Sequence, residues 1–200
     1  WLKNKRAVAL GQDGPLYVWV IPAGQRRYGD AAKFVNLLRL QGIEVHTANT
    51  AFNAGGVSVA AGDYLVRMDQ PYSRCAMQFL DTQYFSPANP NPYDDTGWAI
   101  PLARNVKVSK ITDKAALGQA MTLLAADVKV PGSITGTGSV IIVDHNGDTS
   151  IAPFRFANKD VKMLAAEAAF EAGGRKFGAG AFIIPSADRA KIEASIREFG

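Results

Sequence analysis

The sequence is poor in the residues that most often carry catalysis and metal binding. Its 200 residues include one cysteine, Cys75, and two histidines, His46 and His145. A single cysteine excludes an internal disulfide and any zinc motif built from several cysteines. Neither histidine has a histidine or glutamate three or four residues away, so the spacing of a helical zinc site is missing.

Long apolar runs and blocks of like charge are also missing. No apolar stretch approaches the ~20 residues that a membrane-spanning helix needs. The net charge of +4 is mild, and no block of five or six like charges suggests a nucleic-acid tail. We therefore expect neither a membrane span nor nucleic-acid binding. The chain begins at Trp1 without the apolar stretch of a signal peptide, and we expect it to be a piece of a longer protein.

A glycine-rich stretch occurs twice. FNAGGVSVAAGDYLV (residues 52–66) returns as FEAGGRKFGAGAFII (residues 170–184), at a constant offset of 118 residues. Such a repeat at a fixed offset indicates an internal duplication, with halves at about 16–83 and 139–200 and a connector at 84–138. The glycines do not open a helix as in a phosphate-binding loop, so turns that need positive φ explain them better.

Each half begins with a strand–helix–strand pattern. LYVWVIP predicts a buried strand, and Phe34, Leu37 and Leu38 share one face of the helix that follows it. Because a strand–helix–strand unit makes its two strands parallel, we expect one α/β domain, residues 1–200, with a mostly parallel sheet flanked by helices. Further helices are expected at 70–83, at 113–126 and from Ser186 onward, and a weaker helix is expected around Pro153.

Cys75 is the candidate for covalent catalysis. A cysteine nucleophile needs a base within reach and a lowered pKa, which a helix N-terminus can supply. Cys75 stands near the start of the predicted helix 70–83, but YSRCAMQFL is not the tight elbow of such enzymes. A small buried core thiol is the simpler interpretation. A cysteine-dependent amidotransferase or hydrolase is the enzyme alternative.

Two polar loops are candidate ligand sites. VDHNGD follows a predicted strand, and PYDDTGW lies in the connector; the candidate residues are Asp144, His145, Asp148, Asp94, Asp95 and Trp98. Ligands often bind beyond the carboxyl ends of strands in α/β proteins. A polar turn and a packed connector are the simpler explanations. A peptide- or glycan-binding module is the other alternative, and it requires the two loops to converge on one cleft.

The order of several segments resembles a known family. YVWVIPAGQR, LLRLQGIEVHTA, FNAGGVSVAAGDYLVRMDQPYS, PYDDTGW, VDHN and FEAGGRKFGAGAFIIP occur in this sequence in that order. The series is similar to the C-terminal region of large bacterial M14-type zinc carboxypeptidase-like proteins. In those proteins a class I glutamine amidotransferase-like domain, related to the flavodoxin-like folds, follows the peptidase domain.

The resemblance implies an accessory domain with no catalysis of its own. The H-x-x-E pair and the later histidine that bind the family's zinc have no counterpart here, so the zinc and the peptidase chemistry would lie upstream of Trp1. No cofactor is then expected in this chain. The implied partner is the upstream peptidase domain of the same chain, with peptide or cell-wall material as a ligand, and the implied compartment is periplasmic or secreted.

Overall fold

The chain has a mixed α/β fold, as the sequence predicts. A computed structural model describes residues 1–82, 88, 98–144 and 147–199. These residues divide into two compact units, Trp1–Val128 and Lys129–Gly200. The two glycine-rich stretches lie in different units, and each unit is described by itself below.

The first unit contains both helices and strands. In chain order its elements are α1 (Leu2–Asp13), β1 (Val18–Ile21), α2 (Tyr28–Leu40), β2 (His46–Ala48), β3 (Phe52–Ala54), β4 (Val57–Val59), β5 (Tyr64–Arg67), α3 (Ser73–Leu80), α4 (Ile100–Arg104), β6 (Ser109–Ile111), a 3₁₀ turn (Lys114–Gly118) and β7 (Met121–Leu123).

The sheet of the first unit places the returning strand β5 in its centre. The strand order is β6-β1-β5-β2-β7, and each pairing is antiparallel. Because β1 and β2 are both antiparallel to β5, they run parallel to each other, as the strand–helix–strand pattern predicts. They are not neighbours, however. The expected mostly parallel sheet is wrong for these pairings, because the β3–β4 hairpin turns the chain back and β5 inserts between the two parallel strands.

Both faces of this sheet are buried. Alternate residues of a strand point to opposite faces, and Trp19 and Ile21 of β1 accordingly join one core, which includes residues of α2 and α3. Val18 and Val20 join the other core, which includes residues of the β3–β4 hairpin and the 3₁₀ turn. The sheet is therefore the middle layer of the unit.

The second unit repeats the element order from β1 to α3 of the first, with a 3₁₀ turn added before its last helix. Its elements are β8 (Val140–Val143), α5 (Ile151–Ala157), β9 (Leu164–Ala165), β10 (Phe170–Ala172), β11 (Arg175–Phe177), β12 (Phe182–Pro185), a 3₁₀ turn (Ser186–Asp188) and α6 (Arg189–Phe199). Its strand order is β8-β12-β9, again antiparallel. The strand after the hairpin is thus central in both units.

The repeat extends to single hydrogen bonds. The Ala48 N–H donates to the Asp63 carbonyl at 2.9 Å, and 118 residues later the Ala166 N–H donates to the Ala181 carbonyl at 2.9 Å. Gly56 and Gly174 occupy the same hairpin position with φ of 79° and 71°. The sequence repeat therefore coincides with a repeat of topology and of turn geometry.

Two helix predictions have different outcomes. The predicted helix 113–126 is wrong: its first part is the 3₁₀ turn, and Met121–Leu123 forms β7 by pairing with β2. Gly118 closes the 3₁₀ turn, and the edge of β2 offers hydrogen bonds that a helix would forgo. The weaker helix around Pro153 does form as α5, because Pro153 lies in the first turn, where no intrahelical N–H bond is lost.

The two units differ in how one face of the sheet is covered, the face that carries Val18, Val20 and Leu65 in the first unit. In the first unit this face is buried beneath the hairpin and the 3₁₀ turn, and Val18 and Leu65 are 0% exposed. At the matching positions of the second unit, Val140 is 45% exposed and Ile183 is only partly buried. Among the residues that the structure describes, the second unit has no counterpart of β6, β7 or the 3₁₀ turn Lys114–Gly118.

The left-handed hairpin glycines give a stability prediction. Gly56→Ala and Gly174→Ala should each lower the free energy of unfolding by roughly 1–2 kcal/mol, because an L-residue is strained at this φ. A Cβ at either position would meet no atom within 4 Å, so the strain is the only expected cost. Urea denaturation measures the effect. Gly24→Ala, also in open space but without a positive φ, is the control, and an equal loss there would contradict the explanation.

Candidate functional site

A cavity of about 780 Å³ lies in the first unit beside the edge strand β6. Residues from the end of α3, from α4 and from Lys107 to Lys110 form its walls. The volume is within the range of pockets that hold small ligands. The cavity is therefore bounded by the edge strand β6, the end of α3 and α4.

Trp19 of β1 lines this cavity and carries an unsatisfied donor. The residue is 3% exposed, and its Nε1–H finds no hydrogen-bond acceptor among the residues that the structure describes. A buried indole N–H usually has a partner, and leaving a buried donor unpaired costs about 1–3 kcal/mol. The unpaired indole is thus unusual for a group that serves packing alone.

Lys110 places a positive charge beside the Trp19 ring. The pairing of β6 with β1 sets Lys110 opposite Trp19, and the Lys110 Nζ lies 5.0 Å from the centroid of the indole ring. The same ammonium is 2.7 Å from Oδ1 of Asp81, the residue that follows α3. Ring and carboxylate together hold the ammonium at the cavity.

Gln25 fixes the chain segment that enters β6. Its side-chain Oε1 accepts from the Lys107 N–H at 2.7 Å, and its Nε2 donates to the Lys107 carbonyl at 3.2 Å. Asn105, another lining residue, ends α4 with a left-handed backbone at φ 51°. Asparagine is among the residues that tolerate this conformation best. The cavity wall is therefore held by side-chain bonds to the backbone.

A polar cluster lies on the opposite face of the sheet. Arg67 of β5 makes two hydrogen bonds to Asp69, from Nε at 2.9 Å and from Nη2 at 2.7 Å, and its Nη1 donates to the Leu117 carbonyl. The bonds from Arg67 hold the pKa of Asp69 below its usual value, and the same bonds raise the pKa of Arg67. The hydrogen bonds between Arg67 and Asp69 therefore favour the charged form of both side chains.

His46 of β2 belongs to this cluster. Burial lowers the pKa of His46, and the Arg67 charge lowers it further, whereas Glu44 and Asp69 raise it. Its Nδ1 is buried and has no hydrogen-bond partner among the described residues. The matching position in the second unit is Leu164, so this topology does not require a histidine here.

Cys75 lies in the first turn of α3 and is partly buried. It packs against the core that contains Trp19 and Ile21. His46 is paired with Leu65, whose side chain belongs to the core on the other face of the sheet. His46 is therefore not placed to act as a base for Cys75.

The structure describes the two candidate loops in part. Asp144 is exposed just after β8, and Asp148 accepts a hydrogen bond from the Ser150 N–H at 2.8 Å, next to the start of α5. Trp98 is partly buried and precedes α4. The remaining candidates lie outside the described residues: His145, Asp94 and Asp95. Convergence of the two loops on one cleft stays a prediction.

The described residues include neither a metal-binding cluster nor a membrane-spanning helix. Among them, no three His, Cys, Asp or Glu side chains come together as ligands for a metal ion. No helix in that part of the chain combines the length and the apolar character needed to cross a bilayer.

The candidate residues that the sequence indicates do not include Trp19, Lys110 or Asp81. One pattern could have pointed to Lys110: Val106 and Val108 alternate along the segment NVKVSKI (residues 105–111), and Lys110 is next on the same apolar face. A lysine in such a row needs a partner. That partner, Asp81, is far away in sequence and comes close only through the fold.

Comparison with known proteins adds no relative. No protein-family model, curated protein or solved structure matches the chain. The resemblance to carboxypeptidase-associated domains stays a prediction from the ordered residue series.

The environment of His46 predicts a pH dependence of stability. Its folded-state pKa is below the ordinary value of 6.5, so the unfolded chain takes up a proton first as the pH falls. The stability that neutral His46 contributes is complete above pH 6.5 and is lost progressively below it. His46→Leu introduces the residue type that the second unit has at the matching position, Leu164. The variant should lack the part of the stability loss that comes from protonation of His46.

Urea denaturation of the unmodified chain and of His46→Leu, at pH values from about 5 to 8.5, measures the difference in their free energies of unfolding. The gap in free energy of unfolding between His46→Leu and the unmodified chain should widen in favour of the variant as the pH falls from about 7.5 to 5. Between about pH 7.5 and 8.5 the gap should stay constant, which is the internal control. A gap that is constant over the whole range would show that His46 does not titrate differently on folding.

Proposed function

We propose that this chain is a non-catalytic accessory domain of a larger zinc carboxypeptidase-like protein, and that it binds a ligand in the cavity beside β6. The observation that carries the binding role is the buried Trp19, which lines a cavity next to the Lys110 ammonium and whose indole donor has no partner among the described residues. A cavity with an unpaired donor and a positioned charge suits recognition of a polar group.

The residue series supports the same assignment. The segment YVWVIPAGQR, which contributes to the likeness with carboxypeptidase-associated domains, contains both Trp19 and Gln25. Trp19 lines the cavity, and Gln25 fixes the wall at Lys107. The segment that carries the likeness thus contributes directly to the candidate site.

A glutamine amidotransferase-like or flavodoxin-like sheet is the finer form of the proposal. In its favour, β1 and β2 are parallel and are connected through α2. Against it, β5 lies between them and is antiparallel to both. The accessory role does not depend on which form is correct.

The zinc of the proposed parent protein belongs to its peptidase domain upstream of Trp1, and that domain is the proposed partner. The proposed compartment is periplasmic or secreted. The reading frame that encodes the chain tests this part. A peptidase domain with an H-x-x-E pair and a later histidine, placed before Trp1 behind a secretion signal, is the expected result. A frame that encodes no such domain would refute the proposed parent.

The enzyme alternative gives a direct test on the chain itself. The purified 200-residue chain should not hydrolyse ester, amide or glutamine substrates, because Cys75 packs into the core and His46 faces the other side of the sheet. Cys75→Ser should give the same result in steady-state assays. Turnover by the unmodified chain that disappears in Cys75→Ser would establish the cysteine enzyme instead.

A further inference from the structure

We propose that the cavity beside β6 takes a ligand in which an apolar group is joined to a single carboxylate. A small free carboxylic acid and the C-terminal residue of a peptide both have this chemistry. The inference rests on the proposed binding function, and it adds the class of ligand. It is derived from the charge, the donors and the apolar walls of the cavity.

The charges that line the cavity favour an anion. Lys107 and Lys110 are its cationic residues, and Asp81 is its acidic residue. Asp81 is engaged with Lys110 at 2.7 Å. One positive charge is left in excess, so a ligand with one negative charge balances the site.

The unused donors match the oxygens of one carboxylate. The Lys110 ammonium has three N–H donors, of which Asp81 accepts one. The indole N–H of Trp19 can only donate, and no described residue accepts from it. The Lys110 Nζ stands 5.0 Å from the indole centroid, so the two donors belong to neighbouring side chains of the cavity lining.

The same lining disfavours a phosphate. A doubly charged group would have to sit near the Asp81 carboxylate, which repels it. Phosphate sites in proteins usually provide arginine side chains or several backbone N–H groups, and no arginine is among the described residues that line the cavity. A carboxylate needs only the donors that Lys110 and Trp19 offer.

The remaining walls accept an apolar group. Leu80, Val106 and Val108 contribute side chains to the cavity, and each buried CH₂ of a ligand adds about 0.8 kcal/mol. A peptide has one more means of binding. β6 is the outermost strand of its sheet among the described strands, and a strand edge can pair with an extended peptide.

The experiment uses the full 200-residue chain and follows the indole N–H resonances by NMR. The chain has three tryptophans, and Trp19→Phe, which keeps an aromatic ring in the core, assigns the Trp19 signal. The probes are N-acetyl-leucine, N-acetyl-leucinamide and an acetylated tripeptide that ends in leucine with a free carboxylate. The amide keeps the apolar group and removes the charge.

N-acetyl-leucine should shift the Trp19 indole signal in a saturable manner, and the amide should bind about tenfold more weakly or not at all, since a charge-assisted hydrogen bond is lost. The tripeptide distinguishes a free acid from the C-terminus of a peptide as the ligand. Binding at least about tenfold tighter than the free acid would show that strand pairing contributes. Equal binding would show that the free acid is the complete recognition unit.

Variants of Lys110 and Asp81 test whether these two residues contribute to binding. Lys110→Met should weaken the binding of N-acetyl-leucine about tenfold, and Asp81→Asn should strengthen it, because Lys110 then lacks a competing carboxylate. The controls are Lys114→Met and Asp13→Asn, which change the net charge equally. Lys114 and Asp13 form an exposed pair at 3.1 Å, and neither residue lines the cavity.

Three results would overturn the inference: equal binding of acid and amide, equal weakening by Lys110→Met and Lys114→Met, or no saturable shift of the Trp19 signal with any probe. None of these results touches the non-catalytic role, which is overturned separately if the chain hydrolyses the amide or the tripeptide and Cys75→Ser abolishes that turnover.

Discussion

In each unit the strand that follows the glycine-rich hairpin hydrogen-bonds to two neighbours at once, and the other elements take their places around it. β5 lies between β1 and β2, and β12 lies between β8 and β9. A central strand of this kind requires the hairpin to reverse the chain within a few residues, which the left-handed glycines Gly56 and Gly174 allow. The central position of β5 leaves the outer edge of β1 free to pair with β6, and that pairing brings Lys110 to Trp19.

The candidate sites arise where the first unit departs from the shared plan. The connector adds β6 and β7 to the sheet and covers its second face with the 3₁₀ turn. Lys110 is part of this addition, and so is Leu117, whose carbonyl accepts from Arg67. Asp63 is a further difference: its carboxylate accepts from the Ala23 and Ala60 N–H groups, whereas the matching residue of the second unit is Ala181. The second unit keeps the topology without these polar contacts.

The sequence predicted what depends on local patterns and missed what depends on distant pairing. The apolar face of α2 and the positive-φ turns follow from neighbouring residues, and both were expected. Residues 121–123 were expected to be helical because the composition of 113–126 favours a helix, and their pairing partner β2 is far away in sequence. Helix α1 has no strong apolar pattern, and it is placed by Gly11, whose Cα approaches the Met68 backbone too closely for a side chain. The cavity was missed for the same reason, since its residues come from three separate segments.

Stability alone does not explain the residues around Trp19. An exposed ion pair such as Lys110–Asp81 contributes only about 0–1 kcal/mol, and an unpaired buried indole N–H costs about 1–3 kcal/mol. A phenylalanine in place of Trp19 would fill the core without that cost. Natural sequences depart from the most stable choice chiefly at functional sites. The departure at Trp19 coincides with a cavity and a positioned cation, and a bound acceptor is the single addition that would offset the cost of the indole and use the free donors of Lys110.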